Sequence, residues 1–257
     1  MPQDGAKNYV PHAVLSDYYP DESRRRAFLN KIFDQTAHSY DWTEWLIGFG
    51  SGRWYRHQAL IRAGLTSGMR LLDVGVGTGL VAREAIKIVG DPALVIGVDP
   101  SQGMLDRAHL PEGVQLLQGR GERIPLRSES VEFVSMGFAL RHLSSLSEAF
   151  AEFYRVMKPG ARLCLLEITP PVNRVYRRIV KTYMTHIVPP IAWLKSRDAE
   201  THRIWRYYWD TIEACVAPQI VQQALQEAGF EFVDRHVALG IFSEYTAGKP
   251  GLATAAK

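Results

Sequence analysis

The residues with the most chemical content are Asp73-Val74-Gly75-Val76-Gly77-Thr78-Gly79. A short apolar run ends there and a helical pattern begins, so the glycines sit where a strand turns into a helix. Glycine lets the backbone turn sharply and lets a ligand approach the main chain closely. The N-terminus of the helix behind such a loop presents free N–H groups to an anionic group. Asp99 stands twenty positions after Gly79, at the end of a second apolar run. A carboxylate at that place can accept from both hydroxyls of a ribose. A glycine loop alone is an ordinary turn. Loop, acid and downstream strands together predict a nucleoside cofactor lying across the strand ends.

The spacing bears on which nucleoside. A dinucleotide site follows G-x-G-x-x-G, but here the third glycine comes one place early and Leu80 occupies the last position. The G-x-G-x-G spacing suits S-adenosylmethionine, whose small carboxylate needs room and which has no pyrophosphate to be held. A nicotinamide-dependent oxidoreductase is the reading that the missing glycine disfavours.

The elements that must position these residues alternate. Arg70–Gly75, Leu94–Val98, Val114–Leu117, Val131–Met136 and Leu163–Ile168 read as strands. Gly79–Val89, Ser101–Ala108 and Ser144–Met157 read as helices between them. Ser101 is a good N-cap, and Ser145 with Glu148 can form a capping box. Lys158-Pro159-Gly160 is expected to end the third helix in a turn. This alternation predicts a parallel sheet covered on both faces. Upstream, Glu22 to about Gly68 looks helical, with Phe28, Ile32, Phe33, Trp42, Trp45 and Leu46 at helical offsets. The first twenty residues are expected to form an arm or a disordered lead. The segment 170–217 interrupts the alternation with a helical pattern rich in Arg, Tyr and Trp. Pro218–Ala228 then reads as a helix, and Phe230–Val237 and about Ile241–Tyr245 as closing strands, followed by a small, polar tail.

From about Lys31 to Pro250 the sequence resembles the ubiquinone/menaquinone C-methyltransferase family, within the class I S-adenosylmethionine-dependent methyltransferases. Phe33, Asp34, Ala37, Tyr40 and Asp41 are similar to a family signature near the start. LLDVGVGTG, VDPSQGML, RGERIPL, GFALRH, RVMKPGARLCLLE and LGIFSEYTAGKP resemble later motifs. The resemblance implies an α/β fold: a Rossmann-like, seven-stranded, mostly parallel sheet with helices on both faces. It implies residues 1–68 as an N-terminal arm and helical lid, 69–257 as the methyltransferase domain, and 170–217 as a helical insertion on the substrate side. Carried over residue by residue, Asp73, Gly75, Gly77, Thr78 and Gly79 would hold the methionine end of S-adenosylmethionine. Asp99, followed by Pro100, would take the ribose. Met104, Arg120 and Gly121 would meet the adenine, and Gly137 would lie under the sulfonium, with Tyr40 in a lid over the cofactor. Arg120 replaces the family's Asp or Asn, Gly137 its serine and His142 its asparagine. A guanidinium only donates, so adenine would be read by the Gly121 backbone, or Arg120 would address a ring nitrogen or turn outward.

The implied reaction is methyl transfer to a small hydrophobic aromatic acceptor, above all a ring carbon of a phenol or quinol. Transfer to oxygen or nitrogen of another aromatic, and a non-catalytic S-adenosylmethionine-binding protein, are the alternatives. Loosening a phenolic O–H raises electron density on the adjacent carbon. Arg141 could steady a phenolate there but is a poor base; its plain alternative is a surface salt bridge. His142 could be the base if it points inward; the preferred reading is a surface histidine at a helix start. Tyr40 and Asp41 have plain alternatives as a core aromatic and a helix cap.

Composition excludes other classes. The 257 residues carry 30 basic and 27 acidic side chains, a net charge of +3, too mild to indicate nucleic acid. Two cysteines, Cys164 and Cys215, exclude a disulfide-built fold. Eight scattered histidines show no ligand spacing, so no metal is expected. The start has neither an apolar core nor a basic leader, and no apolar run approaches a membrane span, so a cytoplasmic protein is expected. From Ile168 to Arg197 there is no acidic residue, whereas Arg174, Arg177, Arg178, Lys181, Lys195 and Arg197 are basic among apolar neighbours. Such a helix can lie on an anionic bilayer or pack on the sheet with its charges in water; packing is preferred. The aromatic run Trp205, Tyr207, Tyr208, Trp209 is expected to line an acceptor pocket or a homodimer interface.

Overall fold

A computed structural model describes residues 7–36, 51–196 and 201–251. Tyr40 and Asp41, with Ala37, Trp42, Trp45, Leu46 and Arg197, lie outside the described residues. β1 (Leu71–Val74) and β2 (Val95–Asp99) are buried along their whole length, as continuous apolar runs between two helical layers must be. With β3 (Gln115–Gln118), β4 (Val131–Gly137), β5 (Met157–Ile168), β6 (Glu231–Ala238) and β7 (Phe242–Gly248) they form one seven-stranded sheet of order β3-β2-β1-β4-β5-β7-β6. β1 to β5 pair in parallel, and β7 pairs antiparallel with both β5 and β6. The strand order reverses beside β1, between β2 and β4. That reversal opens a crevice at the carboxyl ends of β1 and β4, where ligands bind in open α/β sheets.

Helices α1 (Glu22–Thr36) and α2 (Gly52–Arg62) precede the sheet; α3 (Leu80–Val89) and α4 (Gln102–Leu105) link its first strands. α5 (Leu146–Val156) buries Leu146, Phe150 and Phe153 against one face of the sheet. α3 and α2 cover the other with Val81, Ala85 and Leu60. As expected, Ser145 Oγ accepts from the Glu148 N–H, at 3.2 Å. Lys158-Pro159-Gly160 does not make the expected turn. Met157 is already extended at the end of α5, and 158–160 are carried inside β5 as an irregularity, shown by the register shift against β4. Gly160 adopts φ +79° there.

After β5 come α6 (Arg174–Thr182), a π-helical turn (Tyr183–Ile187), α7 (Val188–Ser196), α8 (Thr201–Ala214) and α9 (Pro218–Glu227). α7, α8 and α1 share an apolar cluster containing Leu29, Val188, Trp205, Tyr207 and Trp209. The aromatic run is therefore the core of a helical cap, with Trp205, Tyr207 and Trp209 each 1% exposed; it lines neither a pocket nor a subunit interface. The basic segment expected to pack on the sheet packs instead in the cap, burying Met184, Val188 and Ala192, with Val180 resting against them from α6. None of the α6 residues is buried, and Val175 and Ile179 are 69% and 60% exposed. The leading segment is an ordered arm: Leu146 N–H donates to Tyr9 O at 2.7 Å, Val216 N–H to Pro11 O at 2.7 Å, and Tyr19 is buried.

A buried ionic knot joins these parts. Arg141, on the turn after β4, donates Nη1 to Glu167 Oε1 of β5 and, at 3.0 Å, to Phe138 O. Its own N–H meets Glu167 Oε2 at 3.2 Å. Arg25 of α1 donates Nη2 to Arg141 O at 2.8 Å, and the same atom lies 3.0 Å from His12 Nε2 of the arm. Removing one member of a buried pair leaves a charge uncompensated, at a cost of about 3–5 kcal/mol. Arg141→Met should lower the urea midpoint on that scale. Arg141→Met with Glu167→Leu should cost less than the single change, as an urea titration of both variants will measure.

Candidate active site

A cleft of about 930 Å3, measured to its open mouth, occupies the crevice. One half is built from the loop after β1 and the end of β2. Gly75 and Gly77 have φ +68° and +54°, the left-handed region that favours glycine. A Cβ on Gly75 would lie 2.7 Å from Ala139 Cβ, whereas one on Gly77 would meet no atom within 4 Å. The loop thus packs tightly on one side and leaves space on the other. Asp99 closes this half. Its Oδ2 accepts from Gly77 N–H at 2.9 Å and its Oδ1 from Ser101 N–H at 2.8 Å. Both oxygens keep lone pairs for a ligand's hydroxyls. Pro100 and Met104 extend the wall, and Arg120 and Gly121 face them.

The acids are electrostatically unusual. Burial pushes the Asp99 carboxyl up to about 6, against the opposing pull of its two backbone donors and with a further rise from Asp34. Asp73 is buried beneath the loop, accepts from Ser135 Oγ at 2.8 Å, and is pushed up to about 7, chiefly by burial. Asp73, Thr78 and Gly79 do not line the cleft. Gly79 turns instead toward Leu110, which a Cβ there would strike at 2.7 Å. These three hold the loop's shape, and of the loop's glycines Gly75 and Gly77 line the cleft.

The other half is apolar. Gly137, Phe138, Ala139, His142 and Leu143 follow β4 along its floor. His142 is no surface histidine: its ring meets Phe33 edge-on at 5.1 Å and lies nearly parallel to Tyr207 at 6.0 Å. Burial, then the positive charges of Arg141, Arg25 and His12, hold its pKa well below the usual imidazole value. Arg141 itself does not line the cleft. It sits behind the floor, its guanidinium turned to Glu167 and 5.8 Å from the Tyr208 ring centre. Neither a surface salt bridge nor direct contact with a ligand in the cleft describes it.

The cleft also includes Phe33, named in the signature near the start, and three residues that the motif reading passed over. Arg26, Leu29, Asn30 and Phe33 of α1 form its lid side. Their spacing of three, four and seven is one helix face, a signal present in the sequence but masked by the neighbouring stripe of Phe28 and Ile32. Asp34 fastens this lid: Oδ1 accepts from Ser101 Oγ at 2.5 Å and from Gly103 N–H at 3.1 Å. Glu122, at the opposite rim, accepts from Ser144 N–H at 2.6 Å.

The ubiE/COQ5 methyltransferase family model matches residues 21–249. The chain belongs to this family. A ubiquinone/menaquinone biosynthesis C-methyltransferase, UbiE, of Syntrophotalea carbinolica is 34% identical over 237 residues, 90% of this chain and 95% of the relative. UbiE of Klebsiella pneumoniae is 26% identical over 222 residues, 84% and 87% of the two chains. Among solved structures, a Haemonchus contortus phosphoethanolamine N-methyltransferase 2 bound to S-adenosyl-L-methionine superposes with TM-score 0.62 at 17% identity, over 88% of this chain and 60% of that one. A methyltransferase from Aquifex aeolicus gives 0.54 at 23%, over 75% and 88%. These two likenesses concern the fold. Membership of the ubiE/COQ5 family makes the chain an S-adenosylmethionine-dependent methyltransferase. The cleft fits that cofactor: a glycine opening onto space, a carboxylate with free lone pairs beyond it, and a buried methionine beside a glycine backbone.

Family serine is excluded at Gly137, because its Cβ would come within 2.4 Å of Val81 Cγ2. Gly137→Ser should therefore destabilise the protein by about 1–3 kcal/mol, and adding Val81→Ala should restore much of the loss in thermal unfolding. A second expectation concerns pH. A carboxyl whose folded pKa is raised binds its proton more tightly in the fold, so its contribution to stability declines as pH rises from about 4, the ordinary carboxyl value. For Asp73 the decline runs to about 7. Between pH 4 and 7 the melting temperature of the ligand-free protein should therefore fall more, or rise less, than that of Asp73→Asn.

Proposed function

We propose that this chain transfers a methyl group from S-adenosylmethionine to a ring carbon of a small hydrophobic phenol or quinol. The observation that carries the reading is the continuity of the cleft. Its nucleoside half, at Asp99 and Met104, runs without a partition into the apolar half at Leu29, Phe33, Phe138 and His142. The names of the UbiE relatives, C-methyltransferases of ubiquinone and menaquinone biosynthesis, support the same acceptor class. In this reading Gly75 and Gly77 receive the methionine end, Asp99 and Pro100 the ribose, and Met104, Arg120 and Gly121 the adenine; Gly137 leaves room beside the sulfonium. Residues 1–68 are the lid, 69–257 the methyltransferase domain and 170–217 the substrate-side insertion. Lipophilic acceptors partition into bilayers, so the reading includes peripheral contact with a membrane. It needs only one copy of the chain.

Bound S-adenosylmethionine supplies an electrophilic methyl group; the protein's task is alignment and control of the acceptor's proton. His142 Nδ1 lies 3.5 Å from Tyr207 Oη, which leaves Nε2 for the acceptor hydroxyl. The guanidinium groups that keep the imidazole neutral also favour a phenolate nearby, because opposite charge stabilises the ionised form. His142 then accepts a hydrogen bond from the acceptor hydroxyl, whose proton goes to water at the open mouth of the cleft and is regained from there when the ring proton is lost. Arg141 is a positioning residue, shaping the turn that carries His142 and supplying part of this field. Ring-carbon attack forms a C–C bond, breaks the sulfonium S–C bond and releases the ring proton.

Incubation with S-adenosylmethionine and a short-chain quinol should yield a product heavier by one methylene, with a ring-methyl carbon by NMR. A methyl ether would move the reaction to oxygen, and cofactor binding without methylation of any phenol in a lipid extract would leave a binding protein only. His142→Ala should lower turnover by about 10²-fold or more, with cofactor affinity changed by less than a few-fold. Asp99→Ala should instead weaken cofactor binding by about 1.5–3 kcal/mol in calorimetry, the scale of hydrogen bonds to a charged group.

A further inference from the structure

A second cavity, about 860 Å3 to its open mouth, lies beyond Phe138 on the α2 side of the sheet. Phe138 belongs to both walls. It takes φ +59°, a conformation that costs a bulky side chain energy and is kept only where its surroundings impose it. The Arg56 guanidinium lies 5.1 Å from the Phe138 ring centre. The rest of the lining is mostly apolar, with Tyr55, Ile168 and Phe242 inside and Trp54 and Leu239 at the mouth. Those last two are 68% and 74% exposed.

The mouth adjoins α6. Tyr176 Oη donates to Leu239 O at 3.1 Å. The helix has two different sides. Arg177 and Lys181 face α8, both paired with Glu213, at 2.8 and 2.7 Å. Val175 and Ile179 face outward with Arg174 and Arg178, neither of which has an ion-pair partner among the described residues. Exposed apolar side chains continue along the cap in Ile187 and Leu194. An apolar stripe beside unpaired cations is the pattern of a helix lying in the surface of an anionic bilayer. A second copy of the chain fits less well. A twofold contact sets each patch against itself, bringing arginine to arginine on a segment without an acidic residue from Ile168 to Arg197.

We infer that the outward face of α6, with Leu239 and Trp54, seats this protein on an anionic lipid bilayer, so that a lipid-dissolved acceptor reaches the second cavity and Phe138 without crossing water. The seating stands on the surface alone; the acceptor's route rests on the function proposed above. The full chain should co-sediment with vesicles of mixed phosphatidylglycerol and phosphatidylcholine, and roughly tenfold less with phosphatidylcholine alone. Val175→Glu with Ile179→Glu should reduce sedimentation by about tenfold or more, with an unchanged melting curve. Arg174→Ser with Arg178→Ser should abolish the preference for the anionic vesicles. Failure of the unaltered chain to bind mixed vesicles overturns the seating, as does undiminished binding by the glutamate variant. So does a dimer in light scattering that the glutamate variant converts to monomer. Methylation of a short-chain quinol in solution should be equal in the unaltered and glutamate chains, while methylation of a long-chain quinol held in mixed vesicles should fall with binding. No methylation of either quinol by any chain removes the proposed reaction and leaves the vesicle result to be judged alone. Equal methylation of the vesicle-held quinol by both chains removes the route.

Discussion

The ion pair between Arg141 and Glu167 is the contact on which the working end of this protein depends. Both side chains are buried, so neither charge can be left unmatched without a large desolvation cost. Glu167 projects from the end of β5, and Arg141 from the turn that follows β4. Their pairing fixes that turn against the sheet. Arg25 then bonds the carbonyl of Arg141 and approaches His12, which brings α1 and the leading arm to the same point. One charge pair thereby ties α1 and the turn that carries Phe138 and His142 to the sheet.

That arrangement has a chemical consequence. The imidazole of His142 is surrounded by aromatic rings and backed by two guanidinium groups. Both influences oppose its protonation. The two guanidinium groups lie behind the cleft floor, each ion-paired with a glutamate, and Asp99 stands at the far end of the cleft.

The departures from the family pattern have local causes. Glycine at 137 is required by the branched side chain of Val81 pressing from α3, so the two positions are one packing unit. Arg120 sits half-buried on the wall of the cleft, where the Gly121 backbone lies against Leu143. The poorly matching segment 170–217 divides into a cap with a buried aromatic core and a helix, α6, that is exposed except where Val180 rests against that core.

The sequence by itself determined the sheet, the glycine loop, the acid at Asp99 and the cofactor class. Strand periodicity, glycine spacing and capping are local properties that the fold does not override. It also carried the lid face of α1, at spacings of three and four, though a stronger stripe beside it hid that face. What only the tertiary structure decided is which side chains meet. The pairing of Arg141 with Glu167 spans 26 positions, and Arg25 reaches Arg141 across 116. Neither is visible in a local pattern, so an arginine that resembled a catalytic group proved to stand behind the floor, and a histidine that resembled a surface residue proved to stand in it. The same holds for Lys158-Pro159-Gly160, a turn-forming sequence carried inside β5, where Gly160 N–H donates to Lys249 O at 3.0 Å. The aromatic run and α6 differ for the same reason: burial depends on what neighbouring elements cover, and one amphipathic helix was covered while the other was not.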